Sequence, residues 1–152
     1  MINKKFFYKK INADGSKRAR VKLTGLSTLW FNTGTLCNLK CKGCYIDSSP
    51  KNKNLQFLEL EDIQPFFKEI KLNKINIGLI GFTGGEPFVN PNIISIIDYS
   101  LKENFNVLVL TNAMKPMMIK SKYLLKISNK KNLKIRVSLD HFIKEYHDEI
   151  RG

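Results

Sequence analysis

"TLCNLKCKGCYID", residues Thr35 to Asp47, contains every cysteine of the chain. Cys37, Cys41 and Cys44 follow a C-x3-C-x2-C spacing, with Lys40, Lys42 and Gly43 between them. An odd number of thiols on one short loop does not make a disulfide framework, and a reducing compartment would keep all three free. Metal binding or thiolate chemistry is the better class of explanation. What the loop can do depends on what lies on either side of it.

Immediately before it, "LSTLWFNTG" reads as a strand. After it, "LELEDIQPFFKEIKL" places Leu60, Ile63, Phe67 and Ile70 at helical spacing. Pro65 fits such a helix in its first turn, with the start near Asp62. "INIGLIGFTGG" is a buried strand ending in glycines, and "NPNIISIIDYSLKEN" a helix with an Asn/Pro start. "NVLVLTNA" is a strand, "KPMMIKSKYLLKISNK" a helix, "LKIRVSLD" a strand, and "HFIKEYHDEIRG" opens a further helix. This alternation predicts an α/β fold of βα units on a parallel sheet, with right-handed crossovers. Each polar motif falls at a strand C-terminus: the cysteines after the first, "TGGEP" after the second, "TNA" after the third and "SLDH" after the fourth. That edge of an α/β sheet is where ligands bind.

The chain has 152 residues, enough for one domain with a core. Residues 1–25 read as a basic arm or hairpin around Asp14-Gly15, and residues 26–152 as the core domain. No apolar run is long enough to span a bilayer, and the basic start lacks the apolar segment of a signal peptide, so a cytoplasmic location is expected. Net charge is +13, a value that raises nucleic acid as a partner. Lysine outnumbers arginine 22 to 4, and asparagine and isoleucine are abundant too, which fits a composition bias better than a phosphate-reading surface.

Three readings of the cysteines stay open on the residues alone. They could be unrelated buried side chains, although a loop of Asn, Lys and Gly is an unusual place for those. A structural zinc site would want a fourth ligand, for which only the remote His141 and His147 are available. A [4Fe–4S] cluster takes thiolate ligands, and three of them would leave one iron open to a small molecule. Lys40 and Lys42 favour thiolate and offset cluster charge.

"CNLKCKGCY", with Tyr45 directly after the third cysteine, resembles the radical SAM superfamily. "GGEP" resembles that superfamily's GGE motif, "TNA" its TNG, and "RVSLDH" with "HDEIRG" the fourth-strand region of the molybdenum-cofactor synthase and peptide-maturase branch. The resemblance implies a partial (β/α) TIM-like barrel. It implies that Cys37, Cys41 and Cys44 ligate three irons and that S-adenosylmethionine chelates the fourth. Tyr45 would lie against the adenine, and Gly84, Gly85 and Glu86 would hold the methionine ammonium, with Pro87 fixing the loop's exit. Thr111, Asn112, Ser138 and Asp140 would contact ribose hydroxyls or the methionine carboxylate. The implied activity is oxidoreductase chemistry: reductive cleavage of S-adenosylmethionine to a 5′-deoxyadenosyl radical that abstracts hydrogen from an unknown substrate. A flavodoxin- or ferredoxin-like one-electron donor is implied as partner.

Members of the superfamily usually have six βα units, and this sequence supplies about four. The expectation is therefore a truncated core whose fourth strand is an open edge, to be covered by a C-terminal half or by a second copy. The alternative to an active enzyme is a fragment or split-enzyme subunit that binds a cluster or metal without turnover. Ala113 stands where the TNG motif has glycine, so that turn is expected to differ.

Overall fold

The computed structural model describes residues 9–21 and 25–152. Much of the proposed basic arm (residues 1–8 and 22–24) lies outside the described residues. Within it, Ile11 and Lys17 form an antiparallel bridge across a turn in which the Asp14 carboxylate accepts from the Ser16 N–H and hydroxyl.

The alternation expected from the sequence is present. Strand β1 (Leu26–Asn32) leads to α1 (Leu60–Leu72), β2 (Ile77–Thr83) to α2 (Ile93–Lys102), β3 (Val107–Thr111) to α3 (Lys115–Leu124), and β4 (Leu133–Val137) to α4 (Lys144–Arg151). The four strands form one sheet in the order β1-β2-β3-β4, and every pairing is parallel. The strands therefore aim their C-termini, and the loops that follow, at one edge.

Side-chain alternation divides the sheet into two faces. Phe31, Ile80, Phe82, Val107 and Val109 point to the helical side and are buried with Ile63, Phe67 and Ile70 of α1 and Ile93, Ile96, Ile97 and Leu101 of α2. Phe67 is the centre of this layer: its ring lies 4.5 Å from Phe105 and stacks on Tyr99 at 5.9 Å. Each such fully buried apolar side chain contributes roughly 1.5–3 kcal/mol of transfer free energy.

Two details differ from the sequence-based expectation. Helix α1 begins at Leu60, so Pro65 lies inside it and not in its first turn. The Asp62 carboxylate accepts from the Glu59 N–H at 2.8 Å and fixes the earlier start, as half of a capping box does. The helix accepts the lost Pro65 N–H because its buried stripe continues through Ile63, Phe67 and Ile70. The second detail is the turn after β3. Ala113 adopts φ 56°, the left-handed conformation that glycine takes without cost. The turn keeps a glycine's shape despite the alanine.

Candidate functional site

The strand C-termini and the cysteine loop enclose a cleft of about 350 Å³. All three thiols line it. So do Tyr45 from the loop, Gly84 and Gly85 after β2, Thr111 and Asn112 after β3, and Ser138 and Asp140 after β4. Four separate stretches of sequence thus meet at one place, because parallel strands deliver their C-terminal loops to a common edge.

Backbone pairing fixes the root of the cysteine loop against the β2 turn. Past the ends of the strands, the Gly85 N–H donates to the Gly34 carbonyl at 2.9 Å and the Glu86 N–H to the Leu36 carbonyl at 3.1 Å. This approach requires glycine. A Cβ on Gly85 would stand 2.3 Å from the Leu36 oxygen, and one on Gly84 2.7 Å from the Gly34 oxygen. The two glycines form part of the cleft wall, and their lack of side chains is what lets the loop that carries Cys37 lie against them.

Glu86 and Pro87 are placed differently from the other motif residues. Both are buried, and neither lines the cleft. The Glu86 carboxylate turns inward. Oε1 accepts from the Phe88 N–H at 3.0 Å and the Thr111 hydroxyl at 2.8 Å, and Oε2 from the Asn112 N–H at 2.8 Å. It joins the β2 turn to the end of β3. Thr111 completes the link by accepting from the Ala113 N–H at 3.0 Å. Asn90 does similar work behind the loop: fully buried, it donates to the carbonyls of Thr33 and Leu58 at 3.1 and 2.9 Å.

The sulfurs are held by weak donors. Cys37 Sγ accepts from the Leu39 N–H at 3.4 Å and lies 3.9 Å from Asn112 Nδ2, whose amide also donates to the Asn38 side chain at 3.0 Å. Cys44 Sγ accepts from the Ser48 N–H at 3.4 Å, and Cys41 Sγ lies 3.9 Å from Arg151 Nη1. Burial pushes the Cys37 thiol up. The Leu39 N–H pulls it the other way, while the Glu86 carboxylate and the two other cysteines add to the rise. Among the described residues, no group of three or more His, Cys, Asp and Glu side chains is arranged to hold a single metal ion. His141 and His147 are absent from the cleft lining, each engaged through Nδ1 with a backbone N–H, of Ile143 and Asp140 respectively.

Sequence reasoning missed four contributors. Ser48 lines the cleft with a buried hydroxyl that has no partner among the described residues. Arg151 enters from the last turn of α4 and forms an ion pair with Asp140. Leu110 and Ile150 supply apolar lining. Arg151 had no local signal, since only the tertiary fold carries α4 to the loop. There the Lys42 N–H donates to the Ile150 carbonyl at 2.9 Å and Lys42 Nζ pairs with Glu149 at 3.0 Å.

The model for the Radical SAM superfamily matches residues 31–152. The chain belongs to the radical SAM superfamily. It is 38% identical over 117 residues to the antilisterial bacteriocin subtilosin biosynthesis protein AlbA of Bacillus subtilis (strain 168), covering 76% of this chain and 25% of that protein. It is 26% identical over 117 residues to mycofactocin maturase MftC of Mycobacterium ulcerans (strain Agy99), covering 76% of this chain and 30% of that one. Its fold matches Streptococcus suis SuiB bound to S-adenosylmethionine with a TM-score of 0.68 at 18% identity, over 84% of this chain and 28% of SuiB. SuiB bound to precursor peptide SuiA gives the same TM-score at 17% identity, over 84% of this chain and 27% of that one. The chain spans about a quarter of the length of the curated relatives it matches. The fold is thus part of a radical SAM TIM-like barrel, and the family's cofactors are a [4Fe–4S] cluster and S-adenosylmethionine.

The residues present suit those cofactors. Three free thiols, the donor type that iron–sulfur clusters take, share one cleft. The orphaned Ser48 hydroxyl, buried at the same wall, needs a polar partner that the described protein does not provide.

Proposed function

We propose that residues 26–152 are the cofactor-binding core of a radical SAM enzyme that modifies a peptide. The observation that carries this is the convergence of the chain's three thiols with Gly84, Gly85, Asn112 and Ser138 on one cleft. The peptide substrate is supported by the printed names of the relatives: a bacteriocin biosynthesis protein, a maturase and a structure holding a precursor peptide.

In this reading Cys37, Cys41 and Cys44 hold the [4Fe–4S] cluster, and S-adenosylmethionine occupies the rest of the cleft. Together they would supply a 5′-deoxyadenosyl radical that abstracts hydrogen from the substrate, with a flavodoxin- or ferredoxin-like protein giving the electron. The chain's own residues position and enclose. The Leu39 and Ser48 N–H groups hold the sulfurs of Cys37 and Cys44 in direction. Gly84 and Gly85 present backbone atoms to the methionine end, and Ser138 and Asp140 offer short polar groups at the end of β4. Tyr45, 77% exposed at the mouth, is free to lie against the adenine. Glu86 acts behind this surface, holding the β2 and β3 turns together. Leu39, Leu110 and Ile150 keep water from part of the wall. Free thiols imply a reducing compartment, which we take to be the cytoplasm.

Anaerobic reconstitution with iron and sulfide should load about four irons per chain, and dithionite with S-adenosylmethionine should then release 5′-deoxyadenosine. A loaded cluster that releases none would favour a unit that binds the cofactors without turnover.

A further inference from the structure

The sheet face opposite the helices carries side chains that the cofactor site does not use. Register places Trp30, Gly81, Leu108 and Lys134 in one row across all four strands. Trp30 is 44% exposed and lies over Gly81, where an added Cβ would meet the indole at 2.3 Å. The row nearer the strand C-termini pairs Leu110 with Arg136. Leu110 lines the cofactor cleft, and so does Ser138, two residues beyond Arg136 on the same side of β4. Arg136 therefore stands one strand repeat below the cleft, about 7 Å along β4, and Lys134 one repeat further.

Both cations are exposed, and among the described residues neither takes part in a salt bridge. They flank an apolar strip of Trp30, Leu108 and Leu110. A lysine on an edge strand can serve only to discourage strand pairing. That account does not explain why both charges fall on the face bearing the exposed indole, in register with a wall of the cleft.

Resting on the radical SAM reading above, we propose that this face is the substrate's bed. It takes a peptide whose aspartate or glutamate seats between Lys134 and Arg136 while a neighbouring apolar side chain lies on Trp30, Leu108 and Leu110. The occupant follows from charge complementarity. Two unpaired cations beside apolar surface fit a carboxylate flanked by apolar residues, and Arg136 offers the planar fork that binds a carboxylate in two places.

The test uses the full chain and fluorescence anisotropy. The probes are a labelled decapeptide with one glutamate among glycine, leucine and phenylalanine, and its glutamine counterpart. The glutamate peptide should bind about ten-fold more tightly at low salt, with the preference shrinking as ionic strength rises. Lys134→Gln with Arg136→Gln should bind both peptides alike, and Arg136→Lys should keep part of the preference. Equal binding of the two peptides by the wild-type chain, no binding of either, or a preference that survives the double substitution would overturn the proposal. So would displacement of the peptide by an equal concentration of single-stranded oligonucleotide, which would make the face a phosphate-binding surface. The EPR response of the reconstituted cluster to S-adenosylmethionine is recorded on the same samples. Selectivity absent with that response intact overturns the acidic-substrate inference alone. A response absent in the wild-type chain overturns the radical SAM reading beneath it.

Discussion

Glu86 gives the sharpest mutational test, because two accounts of it predict opposite results. The GGE resemblance makes its carboxylate a ligand for the methionine ammonium. The structure turns that carboxylate inward onto three protein donors: the Phe88 N–H, the Thr111 hydroxyl and the Asn112 N–H. In Glu86→Ala all three lose their acceptor. Phe88 and Thr111 are buried, so their donors cannot turn to water, whereas the Asn112 N–H is only partly buried. At roughly 1–3 kcal/mol for each of the two stranded buried donors, the substitution should cost about 2–6 kcal/mol. That is a large share of a domain's usual 5–15 kcal/mol, roughly. The assay is urea unfolding of the metal-free, reduced protein, followed by tryptophan fluorescence from Trp30. The midpoint should fall steeply in Glu86→Ala with little change in slope. Thr111→Val should cost less. Combining the two should cost less than the sum, with a coupling of about 1–3 kcal/mol. A midpoint within about 0.5 kcal/mol of wild type, an effect typical of surface positions, would refute the bracing role and return Glu86 to the ligand.

The other predictions concern the turns and thiols around it. Gly85→Ala would force a Cβ against the Leu36 carbonyl at 2.3 Å, so we expect a loss of about 2 kcal/mol or more and a lower iron load on reconstitution. Thermal unfolding and iron analysis check both. Ala113→Gly should do the reverse, stabilising by about 1 kcal/mol, because the alanine sits at φ 56°. An unchanged melting temperature would mean the turn relaxes. In the metal-free chain Cys37 should react with iodoacetamide more slowly than Cys41 or Cys44, since it is buried and its thiol is pushed up by that burial. The sign runs against thiolate: the Cys37 rate should keep climbing beyond an ordinary cysteine's range near pH 8.5. The folded state should lose stability as pH rises through the raised Cys37 value. Peptide mapping after timed labelling measures the order.

The fold was legible because hydrophobic period and motif position agreed. Strand-like runs such as "NVLVLT" alternate with helical stripes such as Ile63, Phe67 and Ile70, and each polar motif follows a strand. The same logic located ten of the twelve expected site residues on the cleft wall, leaving out Glu86 and Pro87. Those two show the limit of a motif: spacing gives a residue's place in the chain but not the direction of its side chain. Pro65 shows another limit. Local preference put it in a first turn, yet the Asp62–Glu59 cap and the buried stripe extend the helix past it. Ala113 shows that neighbouring hydrogen bonds, here from its own N–H to Thr111, can hold a turn that the residue type disfavours. Arg151 and Ser48 were invisible for a simpler reason. Arg151 reaches the loop only through the packing of α4, and the Ser48 hydroxyl is distinguished by lacking a partner.

The central claim is that three thiolates hold a cluster with one iron open to S-adenosylmethionine. The most direct measurement is the EPR spectrum of the anaerobically reconstituted, reduced chain, with and without S-adenosylmethionine. The account predicts a [4Fe–4S]⁺ signal whose shape changes when S-adenosylmethionine is added, and its loss when Cys37, Cys41 or Cys44 is replaced by alanine. A signal indifferent to S-adenosylmethionine, or zinc bound by the three thiols in place of iron, would contradict it.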